Sequence, residues 1–192
     1  GSKEEDGEVL AYGANIMLGY HNLPDKTKES INEKGGLRTG DLGHLDADGY
    51  LYITGRVKEQ YKLENGKYVA PAPLEESLKL SAYIDQVMLY GFNRPHNVAM
   101  IVAAMPAVEQ YAEGLGISGS AESILNEPRI RELFKEQLKR YGKDFKGFEH
   151  PQNFALLSEE WGIDNGLLTP TLKLKREVVE EQFKTQIEEL YS

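Results

Sequence analysis

The sequence predicts an α+β fold: a Gly-rich, strand-forming stretch up to about residue 55, then a short sheet with flanking helices. Three observations carry this expectation. Asp-Gly and Asn-Gly turn signals separate short apolar and aromatic runs in the first third of the chain. Pro71, Pro106 and Pro128 each open a stretch with apolar residues at helical spacing. Two uninterrupted apolar runs, Val87 to Gly91 and Ala99 to Ala104, lie between those stretches and read as buried strands.

Taken in order, Leu42 to Leu45 and Tyr50 to Ile53 flank Asp46-Ala47-Asp48-Gly49 and should pair as a hairpin. The two aspartates invite a calcium-loop reading, but the acidic ligands expected further along are missing, and Asp-Gly is a tight-turn signal. Gln60 to Leu63 and Lys67 to Ala70 should form a second hairpin across Glu64-Asn65-Gly66. A helix carrying Leu74 and Leu78 follows Pro71, and another runs from Pro106 through Leu115. Gly116 to Ser120 lacks the lysine of a phosphate loop and reads as a surface loop. In the stretch opened by Pro128, Ile130, Leu133, Phe134, Leu138 and Tyr141 share one face. Asn153 to Leu157 is the last expected strand and Ser158 to Leu172 a loop. Leu174, Val178, Phe183, Ile187 and Leu190 mark one face of a terminal helix.

Composition narrows the function. Of 192 residues 40% are hydrophobic and 28% charged, the balance of an ordinary globular protein. The net charge of -9 opposes general attraction to nucleic acid or anionic lipid, so no nucleic-acid partner is expected. With no cysteine, and with His21, His44, His96 and His150 scattered, no metal site is expected. No apolar run has the length of a transmembrane helix. Gly1-Ser2 reads as an expression scar, and the natural chain is expected to begin upstream.

Three constellations carry possible chemistry. Leu37-Arg38-Thr39-Gly40-Asp41 places a carboxylate beyond a Gly-permitted bend, where it could accept from the two hydroxyls of a ribose or cap local backbone amides. Gly55-Arg56-Val57-Lys58-Glu59, with Lys62, concentrates cations at the junction of the two segments. These read either as sugar and phosphate contacts on a hinge or as a solvated strand edge. Leu168 to Arg176 brings Lys173, Lys175 and Arg176 to the start of the terminal helix, against its macrodipole. An anion there would satisfy the charges, although exposed lysines tolerate such positions.

Together, in this order, the three constellations resemble those of the adenylate-forming (AMP-binding) superfamily of acyl- and aryl-CoA synthetases, luciferases and peptide-synthetase adenylation domains. Gly7-Glu8-Val9, Gly13, Gly19-Tyr20 and Thr27 resemble the family's Gly-Glu segment, and residues 36–58 resemble the fatty acyl-CoA synthetase signature. Gly166 to Arg176 and the helical insertion around Ile124 to Phe145 look most like the long-chain branch. The resemblance makes Asp41 the ribose ligand, Ile53 a wall of the nucleotide site, Arg56 a second ribose contact, Lys58 the hinge and Lys62 a neighbour of the nucleotide phosphate. Lys173 matches the catalytic lysine. Leu172 stands where many members have Gly, and the Glu64-Asn65-Gly66 turn also departs from the pattern, so Lys175 remains a rival.

What the resemblance implies is an acid-thiol ligase, a long-chain fatty acid–CoA ligase using ATP, Mg2+ and CoA: the carboxylate becomes acyl-AMP, then a thioester. The family's phosphate loop, a later Tyr-Gly motif with its Glu, and the acyl tunnel are absent from these 192 residues. Residues 3–55 are therefore expected to end the large N-terminal AMP-binding domain, with its β-rich subdomain, and 56–192 to form the small mobile C-terminal domain. The piece alone is expected to be inactive, and the location expected is cytoplasmic or peripheral at membranes, with the missing domain as partner. The other readings are an enzyme loading a carrier protein and a non-catalytic interaction module.

Overall fold

The structure, a computed structural model, describes residues 6–192. Gly1-Ser2 and the first residues of the domain expected from residue 3 lie outside it. The chain divides into two compact units, one ending at Gln60 and one running from Tyr61 to Ser192.

The first unit contains strand β1 (Gly7–Ala11), helix α1 (Pro24–Ser30), and strands β2 (Leu37–Leu45) and β3 (Leu51–Arg56), then a 3-10 turn at Val57–Glu59. The strands form an antiparallel sheet in the order β1-β2-β3. The expected hairpin is β2–β3. Its turn is closed by Asp46, whose Oδ1 accepts from the backbone N–H groups of Asp48 and Tyr50 at 2.9 and 2.8 Å. Those bonds hold the Asp46 carboxyl below its ordinary value, the Tyr50 bond contributing most. The aspartates are turn chemistry. Leu45, Leu51, Tyr52 and Ile53 of the hairpin remain exposed.

The second unit begins with β4 (Tyr61–Lys62) and β5 (Tyr68–Val69), the second expected hairpin reduced to two residues a side. Helix α2 (Pro71–Leu78) leads to β6 (Ile84–Tyr90) and β7 (Asn97–Ala103). Helices α3 (Met105–Gly114), α4 (Ala121–Asn126) and α5 (Pro128–Gly142) precede β8 (Pro151–Leu157), and α6 (Arg176–Gln182) and α7 (Lys184–Glu189) close the chain. Pro opens α2, α3 and α5 because its missing N–H costs nothing in a first helical turn.

The main sheet has the order β6-β7-β8, with β7 antiparallel to β6 and parallel to β8. The three helices α3–α5 supply the crossover that a parallel pair requires. All seven residues of β7 are buried, so both of its faces are covered. Ala99, Ile101 and Ala103 pack with Leu74, Leu78, Val108 and Phe134 from the helical side. Val98, Met100 and Val102 pack with Trp161, Leu167, Leu168, Val179 and Ile187 on the other face. Full burial of such side chains contributes about 1.5–3 kcal/mol each, which fixes the Ser158-to-Arg176 segment against the sheet although it has little regular structure.

The terminal helix differs from expectation. It breaks at Phe183 into α6 and α7, and Val179 is buried while Val178 is 44% exposed. The reason is that Leu174 precedes the helix, in a bridge with Leu168, so counting helical phase from it selects the wrong valine. Among the described residues no helix is long and apolar enough to cross a membrane.

Candidate functional site

The residues expected to bind or catalyse are distributed between the two units. In the first, Gly40 has φ +75°, a left-handed conformation that glycine adopts without strain. The Thr39 hydroxyl locks this bend by donating to the Val9 carbonyl at 2.9 Å and accepting from the Asp41 N–H at 3.0 Å. Asp41 therefore does not cap local backbone amides, and Thr39 performs that task for it. Its carboxylate faces Arg56 across the β2–β3 pair, with Arg56 Nε 3.0 Å from Oδ1. Apart from Arg56, no group among the described residues hydrogen-bonds the Asp41 carboxylate, which leaves it capacity to accept from a ligand diol.

The β2–β3 register shifts between Leu42 and Gly43, and Thr54 is the extra residue on β3. Its Oγ1 is buried and without a hydrogen-bond partner among the described residues. Bulges re-aim neighbouring side chains, and this one sits between Ile53, 55% exposed, and Arg56. Asp41, Arg56 and Ile53 thus share one hairpin. Lys58 is exposed in the 3-10 turn, and the boundary between the units follows directly after that turn.

In the second unit, Lys62 on β4 lies opposite Tyr68, its Nζ 5.6 Å from the ring centroid. Tyr61, beside it, is anchored in the unit. Its hydroxyl donates to Asn97 Oδ1 at 2.9 Å, and Asn97 Nδ2 donates to the carbonyls of Phe148 and Glu149. Gly91 makes room for this network, because a Cβ there would stand 2.2 Å from Asn97 Oδ1. Burial pushes the Tyr61 hydroxyl far above its ordinary value, and the negative charge of Glu75 adds to the effect.

Lys173 belongs to a closed turn rather than to a helix. Leu172 N–H donates to the Thr169 carbonyl, Thr169 N–H to the Lys173 carbonyl, both at 2.8 Å, and Lys173 N–H to Thr169 Oγ1 at 3.0 Å. Pro170 and Thr171 are the central residues and Leu172 has φ +60°. This is a three-residue hairpin loop ending in a left-handed position, which normally calls for glycine. Lys173 is exposed at the turn, with no ion-pair partner among the described residues. Lys175 is half-buried, and its N–H donates to the Leu167 carbonyl at the base of the turn. Arg176, the third cation of this run, pairs with buried Glu75 of α2. One of the three charges expected to meet a ligand anion is therefore answered within the protein.

Sequence reading missed Thr39, Tyr61, Asn97 and Glu75. Thr39 had a signal, a hydroxyl two residues before the carboxylate. The others act through partners remote in sequence.

Residues 58–124 match the AMP-binding enzyme C-terminal domain. By that match the chain belongs to the AMP-binding C-terminal domain family. Among curated proteins it is similar to long-chain-fatty-acid–CoA ligase 1 of Cavia porcellus, 36% identical over 97% of this chain and 27% of that protein. The Homo sapiens ligase of the same name is also 36% identical, over 98% of this chain and 28% of its own. The chain thus spans little more than a quarter of these relatives. Among solved structures it resembles the adenylation domain of a carboxylate reductase from Mycobacterium chelonae, with TM-score 0.77 and 26% identity over 97% of this chain and 28% of that one. A second carboxylate reductase domain, from Segniliparus rugosus in complex with AMP and a carboxylic acid, gives 0.76 and 25% over the same shares.

Proposed function

We propose that this chain is the C-terminal portion of an ATP-dependent long-chain fatty acyl-CoA synthetase, an acid-thiol ligase. The observation that carries the reading is the 36% identity to long-chain ligases over 97% of the chain. The Asp41–Arg56 hairpin and the exposed Lys173 turn support it. In the complete enzyme a fatty carboxylate oxygen attacks the α-phosphorus of ATP, held with Mg2+, and pyrophosphate leaves. The thiol of CoA then attacks the acyl carbon and AMP leaves. Asp41 accepts from the ribose hydroxyls, Arg56 orients that carboxylate and contacts the sugar, Ile53 walls the nucleotide and Lys62 lies toward its phosphate. Lys58 is the pivot about which residues 56–192 turn as a mobile domain against the N-terminal AMP-binding domain, of which residues 3–55 form the end. The enzyme works in the cytoplasm, peripheral at membranes that hold its apolar substrate.

Lys173 supplies fixed positive charge to the adenylation transition state. It is favoured over Lys175 because it is exposed and unpaired at the turn, whereas Lys175 is half-buried at its base. Lys173→Ala in the complete enzyme should lower pyrophosphate release about 10²-fold or more, roughly the loss of one oxyanion donor. Lys175→Ala should cost less than about tenfold. The reverse ranking would shift the catalytic position to Lys175.

The likeness to carboxylate reductase adenylation domains favours one second reading, in which the acyl group passes to a carrier-bound thiol. Thioester formation with free CoA and none with a carrier protein would reject it.

A further inference from the structure

We propose that buried Glu75 and half-buried Arg176 form a pair that positions Lys173 for adenylation, a role that rests on the Lys173 reading above. Glu75 is 6% exposed on α2. Its Oε1 accepts from the Leu89 N–H of β6 at 2.7 Å and from Arg176 Nη1 at 2.9 Å, and its Oε2 accepts from Arg176 Nη2. One carboxylate thereby ties an edge strand of the main sheet to the first residue of α6, only three residues beyond Lys173.

The turn needs such a tie. Its own hydrogen bonds, between Thr169, Leu172 and Lys173, close it upon itself and leave its placement on the sheet undetermined. Besides the burial of Leu167 and Leu168 against β7, two polar attachments fix that placement: the Lys175 N–H bond to Leu167 at 2.9 Å, and the Arg176 fork on Glu75. A planar guanidinium bound through two nitrogens fixes orientation as well as distance.

The chemistry of burial favours registration over stability as the pair's purpose. Desolvating both charges consumes most of what their attraction returns, so such a pair adds little net stability, and its best-attested use is to select one register. Arg176 lies close to the reacting region in sequence, yet its charge is spent on Glu75 instead of on a ligand. It acts through Lys173, and neither member of the pair touches substrate in this proposal.

The test uses the complete enzyme and measures the two half-reactions separately. Removing one partner alone would strand a buried charge, so the variant is the neutral double substitution Glu75→Gln with Arg176→Met, which keeps volume and an acceptor for Leu89. Adenylation, read as pyrophosphate release, should fall at least about tenfold, while thioester formation from supplied acyl-adenylate changes less than about threefold. In a Lys173→Ala background the same double substitution should lower adenylation by less than about twofold, because a residue acting through Lys173 has nothing further to remove. Thermal unfolding of the variant beside the parent checks that it is folded. A full loss in the Lys173→Ala background, or parental adenylation in the double variant, overturns the positioning role and leaves Lys173 in place. Undiminished adenylation in Lys173→Ala itself overturns both readings.

Discussion

Leu172 is a residue whose conformation can be tested by the sign of an energy difference. At φ +60° its side chain crowds its own backbone, at a cost of about 1–2 kcal/mol for an L-residue in the left-handed region. It is 70% exposed, so truncation removes little buried surface. The informative comparison is between Leu172→Gly and Leu172→Ala, which lose the same contacts beyond Cβ. Where φ is negative, glycine is less stable than alanine by about 0.4–1 kcal/mol, because its unfolded chain has more freedom. Here relief of the left-handed strain exceeds that deficit, and the glycine variant should be the more stable by about 0.5–1 kcal/mol. For a unit of this size that is about 2–4 °C in melting temperature. Trp161 is the only tryptophan and lies in the apolar cluster that holds Leu167 and Leu168 at the base of the turn. Its fluorescence during thermal unfolding of the 192-residue chain reads the right unit. An alanine variant more stable than the glycine variant would mean that Leu172 does not occupy the left-handed conformation, and the three-residue loop assignment would fall with it.

Three further outcomes are expected. Tyr61→Phe leaves Asn97 Oδ1 unpaired and should destabilise the second unit by about 1–2 kcal/mol at pH 7 in urea unfolding. Because burial raises the Tyr61 hydroxyl above its ordinary 10.0, its contribution is whole below pH 10 and is lost as pH rises further, so the gap between parent and variant should narrow there. A gap that stays constant to pH 11 would contradict a buried, protonated phenol. Asp41→Asn breaks a half-exposed ion pair and should cost less than about 1 kcal/mol of stability, yet in the complete enzyme it should raise KM for ATP about 10-fold or more. An unchanged KM would remove Asp41 from the nucleotide site. Lys58→Pro fixes φ near about -65° in the turn that precedes the unit boundary, and it should depress thioester formation well beyond adenylation. Equal losses in the two half-reactions would place the pivot elsewhere.

Much of the fold was legible because its signals are local. Asp46 to Gly49 and Asn65-Gly66 announce their turns by chemistry acting over four residues, and the prolines announce helix starts at which no backbone donor is lost. Elements without a local signal were not found. Helix α1, Pro24–Ser30, buries none of its residues and so has no apolar period to read. Strand β1, Gly7–Ala11, has no fully buried face and owes its existence to pairing with β2 some thirty residues away. Of helix α4 only the end fell within the helical insertion expected around Ile124 to Phe145; its start rests on Ser120, whose hydroxyl accepts from the Ser123 N–H at 3.2 Å at the end of a stretch that reads as loop.

The site divides along the same line, and the division alters its chemistry. A motif reveals which residue types occur together but not which charges a fold has already used. Read as a string, Lys173, Lys175 and Arg176 are three equivalent cations at a helix start, and Glu75 is one of two acids on a helix that could be solvated. The pair Glu75–Arg176 spans 101 positions, so only the packing of α2 beside β6 and α6 brings them together. Once they are paired the three cations differ: Arg176 is committed, Lys175 is half-buried at the base of the turn, and Lys173 alone stands exposed and unpaired among the described residues. The nucleotide side obeys the same logic with shorter reach. Asp41 and Arg56 are neighbours because the β2–β3 hairpin folds back on a turn that the sequence does declare, so the cause of their association is local although the pair itself was not expected. A carboxylate and a cation joined by a hairpin can be inferred from sequence, whereas a pair joined across a core has to be seen.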